Sequence, residues 1–214
     1  MKDKIKTIVF DFDGVIVDSN RLKLDAWFKI FPADLGVTHE EIVESLERVR
    51  ETRFDILRDI FLKKGIEGEK NAAMVAEYAE KWNSIVQKGM VLMPGVSDIL
   101  LKTSAKFPLY INSATPVEPL RETVKNLAIG QYFKDVMGKP PDKVENLQSV
   151  LRREEARPEE LIFVGDAEGD LLAARAVGCR FIGLKNEFNG WREATGFSLI
   201  KELSELVAPD SLFW

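Results

Sequence analysis

Apolar residues are distributed along this chain in two different rhythms. Five short runs are dense in β-branched and aromatic residues: 5–10 (IKTIVF), 108–112 (PLYIN), 132–137 (YFKDVM), 160–165 (ELIFVG) and 179–184 (CRFIGL). Runs of this length with little polar alternation predict strands buried on both faces. The third run, interrupted by Lys134 and Asp135, is the weakest of them. Most are separated by segments of helical length whose apolar residues recur every three or four positions, the alternation of a parallel sheet in an α/β fold.

One gap breaks the alternation. From about residue 20 to residue 90 the period is almost entirely helical. In RFDILRDIFLKKG the spacing predicts one face made of Phe54, Leu57, Ile60 and Phe61, with Gly65 as the stop. In THEEIVESL, Thr38 and Glu41 stand at capping-box spacing. Pro94 and Gly95 in MPGV mark the return to the alternating pattern. The organisation expected is therefore an α/β core, residues 1–15 and 93–214, with a helical domain, residues 16–92, inserted after the first strand.

Composition narrows the classes of function. The chain has 214 residues, 45% hydrophobic and 30% charged, with a formal net charge of −5, which is the profile of a globular protein. That mild acidity argues against sequence-independent nucleic-acid binding, which relies on a basic surface. The single cysteine, Cys179, excludes an intramolecular disulfide framework and reads as a small packing residue. No run has the shape of a signal peptide or the length of a membrane span, so the expectation is a cytoplasmic protein with no membrane partner.

The chemistry is carried by acids at the ends of predicted strands. Asp11 and Asp13 follow the first run in IVFDFDGVIVDS, where burying an unpartnered carboxylate would cost several kcal/mol. Residues i and i+2 of an extended segment point the same way, and Gly14 permits a sharp turn. Asp166 and Asp170 follow the fourth run in IFVGDAEGD. In open α/β sheets ligands bind at these carboxyl ends. Four carboxylates brought to one edge require a cation, and an all-oxygen set favours Mg²⁺ over zinc or copper. Ser113 and Thr115 end the second run in INSATP, and Lys139 and Lys143 lie in GKPPDKVENL beyond the third. Carboxylate, hydroxyl, lysine and a hard metal together make a phosphoryl site.

At these motifs the chain resembles the haloacid dehalogenase superfamily, in its capped branch with phosphoglycolate phosphatase and β-phosphoglucomutase. The likeness runs through the whole chain in motif order and is strongest at DFDGVIVDS and VGDAEGD. It implies a Rossmann-like core with a cap domain. It implies that Asp11 is the nucleophile that becomes an aspartyl-phosphate, and that Asp13 is the general acid and base. It further implies phosphate binding by Ser113 and a Mg²⁺ site of Asp11, Asp13 (through its backbone carbonyl), Asp166 and Asp170. The family's third-motif lysine is ambiguous here: Lys143, at the start of a helix, is preferred, with Lys139 as the alternative. RETRFDIL resembles the arginine-bearing loop of the sugar-phosphate branch, which implies a substrate contact for Arg53.

Blander readings apply elsewhere. Thr115, just before Pro116, reads as a turn residue, Asp18 and Ser19 as cap or hinge, and His39 as a solvated first-turn residue. Phe188 and Trp191 in FNGW are explained by packing, and Arg48 and Arg58 by pairing with Glu44, Glu47, Glu51 and Asp55. The function expected is a Mg²⁺-dependent phosphatase of a small phosphorylated metabolite. A phosphomutase would share every residue named, and a non-catalytic binding protein would have no need of the Asp11–Asp13 pair. Haloalkanoate dehalogenation is disfavoured, because that branch lacks the second aspartate.

Overall fold

A computed structural model of the chain describes residues 4–49, 52–192 and 196–207. Six strands form one sheet: β1 (Thr7–Phe10), β2 (Leu109–Pro116), β3 (Asp135–Lys139), β4 (Leu161–Gly165), β5 (Arg180–Leu184) and β6 (Ser198–Ile200). Their order is β3-β2-β1-β4-β5-β6 and every neighbouring pair is parallel. β1 therefore lies at the centre, hydrogen-bonded to β2 on one side and β4 on the other. All four of its residues are buried, as a central parallel strand covered on both faces requires.

The helices are α1 (Ser19–Trp27), α2 (His39–Arg48), α3 (Arg53–Lys63), α4 (Gly68–Gly89), α5 (Val96–Ser104), α6 (Val117–Asn126), α7 (Lys143–Arg153) and α8 (Glu168–Val177). Leu147 and Val150 of α7 and Ala173 and Ala174 of α8 pack against Val9, Tyr110, Phe163 and Phe181 of the sheet. Three helices open with reciprocal capping boxes: Thr38 with Glu41 on α2, Thr52 with Asp55 on α3, and Asp142 with Glu145 on α7. Each ties down backbone donors that a helix start leaves unpaired.

The chain divides into two compact units, Met1–Asp18 with Val91–Trp214, and Ser19–Met90. In the first, residues 16–18 run beside 91–93: Met93 N–H donates to Ile16 O (2.9 Å), Asp18 N–H donates to Val91 O (3.1 Å), and Val17 bridges Leu92. The second unit is purely helical among its described residues, with its own core of Trp27, Ile42, Leu57, Ile60, Phe61, Tyr78, Ala79, Trp82 and Val86. Phe61 meets Tyr78 edge-to-face with ring centroids 5.2 Å apart, an arrangement worth about 1 kcal/mol beyond its buried area.

Several local expectations need correction. Leu57, Ile60 and Phe61 are buried on α3, but Phe54, in its first turn, is 40% exposed. The third strand lies at 135–139 instead of 132–137, because Gly130–Tyr132 forms a 3₁₀ turn. β6 is additional; three residues with one buried side chain carry too little pattern to be read. Arg48 pairs with Asp59 of α3, an acid outside the expected set, while Arg58 pairs with Asp55 (2.7 Å) as expected. Arg50 and Glu51 lie outside the described residues. His39 is exposed and stacks on Phe28, and no described helix is long and apolar enough to cross a membrane.

Candidate active site

The sheet order reverses at β1 and β4, and ligands of such sheets bind outside the strands' carboxyl ends at that reversal. Asp11 follows β1 there, its N–H donating to Val164 O of β4 (2.8 Å). Asp166 follows β4, and Asp170 lies in the first turn of α8 with Oδ2 accepting from Ala167 N–H (3.1 Å). The three side chains are 4%, 6% and 0% exposed, and one carboxylate oxygen from each lies within 4.8 Å of the others. Gly165 makes the approach possible. A Cβ there would stand 2.4 Å from Asp170 Cβ, so any other residue would push α8 away from β4.

Lys143, first residue of α7, reaches into this cluster. Its Nζ donates to Asp11 Oδ1 (2.8 Å) and Asp170 Oδ1 (2.5 Å), and its side chain is 16% exposed. Lys139 is exposed at the end of β3. Of the two candidate lysines it is Lys143 that meets the carboxylates. Its helix start is held from below: Asn112 of β2, fully buried, donates to Lys143 O (2.9 Å) and accepts from Asn146 Nδ2 (3.0 Å).

Asp13 takes a different direction from Asp11. β1 ends at Phe10, and Phe12 O accepts from the N–H groups of Ile16 (2.9 Å) and Val17 (3.1 Å), closing a turn with Gly14 at φ 74°. The two-residue period of a strand no longer applies across that turn. Asp13 is half-buried and accepts from Thr115 Oγ1 (3.1 Å); its carboxylate is not one of the three that converge among the described residues. Thr115 is thus more than a turn residue. Ser113, 1% exposed and the last buried residue of β2, accepts from Thr115 N–H (3.1 Å).

The electrostatics of the site are dominated by its buried carboxylates. Burial pushes Asp11 up to about 8, Asp170 adds to the shift, and Lys143 opposes it. Burial alone would lower Lys143, but Asp11 and Asp170 more than offset it and hold the ammonium above its ordinary range. Burial, Asp170 and Asp13 outweigh Lys143, so without a further cation beside it Asp11 keeps a proton at neutral pH. The donor set suits a hard divalent ion. With bonds of about 2.1 Å, oxygens on an octahedral Mg²⁺ stand roughly 3–4.2 Å apart, so carboxylates already within 4.8 Å need to close only slightly.

A family model, haloacid dehalogenase-like hydrolase, matches residues 8–184. The chain belongs to the haloacid dehalogenase-like hydrolases. It is 30% identical to a phosphoglycolate phosphatase of Salmonella typhimurium (strain LT2), over 86% of this chain and 83% of the relative. It is 29% identical to that of Escherichia coli (strain K12), over 87% and 84%. Among solved structures it resembles a β-phosphoglucomutase-assigned protein of Thermotoga maritima (TM-score 0.79, 20% identity, 95% of this chain and 97% of the other). It also resembles a superfamily hydrolase of Geobacter sulfurreducens (TM-score 0.72, 21% identity, 95% of each). These structural likenesses establish a shared Rossmann-like α/β fold.

Two further observations concern this hydrolase's other singled-out residues. Arg53 opens α3 in the helical unit, with its guanidinium over the rings of Phe54 (4.9 Å) and Trp82 (5.6 Å) and its Nε buried without a hydrogen-bond partner. Cys179 is half-buried against α8, and burial pushes its thiol up to about 12, so it is no nucleophile at neutral pH. The asparagines around the site (Asn112, Asn146, Asn186 and Asn189) carry no spacing that singles them out in the sequence.

Proposed function

We propose that this hydrolase is a Mg²⁺-dependent phosphatase of a small phosphorylated metabolite, working through an aspartyl-phosphate on Asp11. The observation that carries the reading is the lysine shared between Asp11 and Asp170 inside a buried group of three carboxylates. Three buried carboxylates gathered with a lysine at the end of the central strand suit a divalent cation and an anionic substrate. The residues proposed to hold Mg²⁺ are Asp11, Asp166 and Asp170, with the Asp13 backbone carbonyl. When bound, the ion would screen the phosphoryl oxygens from the carboxylates.

In the first half-reaction an Asp11 oxygen attacks phosphorus, the new O–P bond forms, and the bond to the leaving oxygen breaks. Asp13 delivers the proton that the departing alkoxide needs. In the second half Asp13 takes a proton from water, whose oxygen attacks the phosphorus and releases Asp11 and inorganic phosphate. Lys143 eases the ionisation of Asp11, against its burial, and offsets the charge of the approaching dianion, and Ser113 donates to a phosphoryl oxygen. Thr115 fixes the Asp13 carboxylate between its two proton transfers. The helical unit, following the first strand as the insert of capped family members does, is assigned as the cap.

The relatives' activity makes 2-phosphoglycolate the first compound to assay, beside hexose 1-phosphates with and without a bisphosphate activator. Mg²⁺-dependent release of inorganic phosphate is the expected result. Isomerisation with little release would replace the phosphatase by a mutase, and no turnover of any phosphate ester would refute the proposal.

A further inference from the structure

The loop that follows β5, KNEFNGW (185–191), is tied to the end of β4 by two asparagines that no motif predicts. Asn186 Oδ1 accepts from the N–H groups of Phe188 (2.8 Å) and Asn189 (3.0 Å). Both are backbone donors, so this end of the amide must be the oxygen. Its nitrogen is thereby turned toward Asp166, where it donates to Oδ2 (2.7 Å). A flipped amide would set two oxygens against each other at that distance.

Asn189 works on the backbone. Its Nδ2 donates to Asp166 O (3.0 Å) and Leu184 O (2.8 Å), joining the ends of β4 and β5, while its Oδ1 accepts from Trp191 N–H (3.2 Å). Trp191 anchors the loop in turn. Its ring meets Phe181 and Phe197 edge-to-face at 5.9 and 5.1 Å, over Gly183, where a Cβ would stand 2.7 Å from the indole. The amide that meets Asp166 therefore rests on a turn of fixed conformation, held to the core by an aromatic side chain.

We propose that Asn186, fixed by Asn189 and Trp191, is a positioning residue that sets the rotation of the Asp166 carboxylate for a divalent cation. The residue type fits the task. An amide donor restrains a carboxylate without neutralising it, so the full charge stays available to a metal; a lysine there would compete with the cation. Partners that orient metal-binding carboxylates in this way contribute about 10–100-fold to metal affinity.

The inference rests on the divalent-cation reading above, and the test separates the two. Mg²⁺ binding to the full chain is measured by titration calorimetry for wild type, Asn186→Ser, Asn186→Thr and Phe188→Ala. Serine and threonine keep an oxygen for the turn's N–H groups but are too short to reach Asp166. Phe188 is 48% exposed in the same loop and enters these hydrogen bonds through its backbone N–H, which alanine keeps. The expected result is a Kd for Mg²⁺ raised about 10–100-fold in both Asn186 variants, with Phe188→Ala within about twofold of wild type. Metal-free melting temperatures within about 3 °C of wild type identify the folded variants, and two substitutions keep the test decisive if one misfolds. Unchanged affinity in a folded Asn186 variant, or an equal loss in Phe188→Ala, overturns the proposal while leaving the metal reading intact. A wild-type chain that takes up no Mg²⁺ overturns both.

Discussion

Replacing Lys143 by methionine keeps the length of the side chain and removes its charge. The ammonium donates to Asp11 at 2.8 Å and to Asp170 at 2.5 Å. At an effective dielectric near 20, a unit pair 2.8 Å apart attracts by roughly 6 kcal/mol before desolvation of the two ions is subtracted. The stability loss in Lys143→Met is limited by Asp11, which burial already pushes up to about 8 and which stays protonated, and so uncharged, once its partner is gone. Turnover has no such escape, because a protonated Asp11 cannot attack phosphorus and an ionised one then faces a dianion unscreened. The comparison is with donors that stabilise developing charge, whose removal costs about 10²–10³-fold in rate, or roughly 2.7–4 kcal/mol. The assay is kcat/KM for p-nitrophenyl phosphate at pH 7 in saturating Mg²⁺, with Lys139→Met alongside. Lys139 is exposed at the end of β3, and its variant is expected within about threefold of wild type, as a surface substitution should be. Lys143→Met retaining more than about a tenth of wild-type activity, a barrier change under some 1.4 kcal/mol, would refute the reasoning. So would a larger loss in Lys139→Met.

EDTA should abolish turnover and Mg²⁺ restore it, with Ca²⁺ a poor substitute because its larger, looser shell misplaces the reacting groups; full activity in chelator would exclude the metal assignment. Asp11→Asn should remove turnover, since an amide cannot form the covalent intermediate, and residual activity within about tenfold of wild type would end the nucleophile assignment. The same variant tests the electrostatics. Asp11 in the folded chain lies at about 8 against an ordinary 3.8, so its contribution to stability is fully present below pH 3.8 and is lost as pH rises through 8. The metal-free wild type should therefore melt at progressively lower temperature between about pH 5 and pH 9, a fall that Asp11→Asn lacks and that a flat calorimetric profile in EDTA would contradict. Thr115→Val removes the hydroxyl that holds Asp13 at 3.1 Å and should lower kcat about tenfold, the worth of one hydrogen bond to a charged group. Wild-type kcat in that variant would remove Thr115 from the proposed chemistry.

The sheet was legible because its central strands carry their own signal. Ile8, Val9 and Phe10, like Ile162, Phe163 and Val164, are buried on both faces of a parallel sheet and must be apolar without interruption. Toward the edges that requirement relaxes. β3 has half-buried Asp135 and Val136, and β6 has a single buried residue, so the apolar pattern puts the start of one three residues early and carries no signal for the other. Helix starts were legible where a side chain closes on backbone within three residues, as Thr38 does with Glu41. Thr52 with Asp55 is the same device with a shorter acid, so a pattern looking for glutamate or glutamine passes over it.

At the site, legibility follows the range of the interaction. Asp11, Asp166 and Asp170 stand out because carboxylates at the ends of buried apolar runs violate the local pattern, and such violations mark function more often than folding. Lys143 could be preferred over Lys139 because a lysine one residue beyond an N-capping aspartate is carried on the first turn of a helix. The asparagines have no comparable signature. Asn186 meets a carboxylate twenty positions earlier in the chain, through a turn whose shape depends on its own hydrogen bonds to Phe188 and Asn189 and on where Trp191 packs. Neither strand nor helix periodicity relates the two positions, and asparagine beside glycine ordinarily means only a turn. What distinguishes this pair of asparagines is that their amide groups reach partners placed by the sheet: Leu184 O ending β5, Asp166 following β4, and the N–H of Trp191, whose ring lies over Gly183. A turn that merely reversed the chain would satisfy its amides with water. One that aligns a buried carboxylate must spend them on protein atoms, and that choice becomes visible only once the strands are in register.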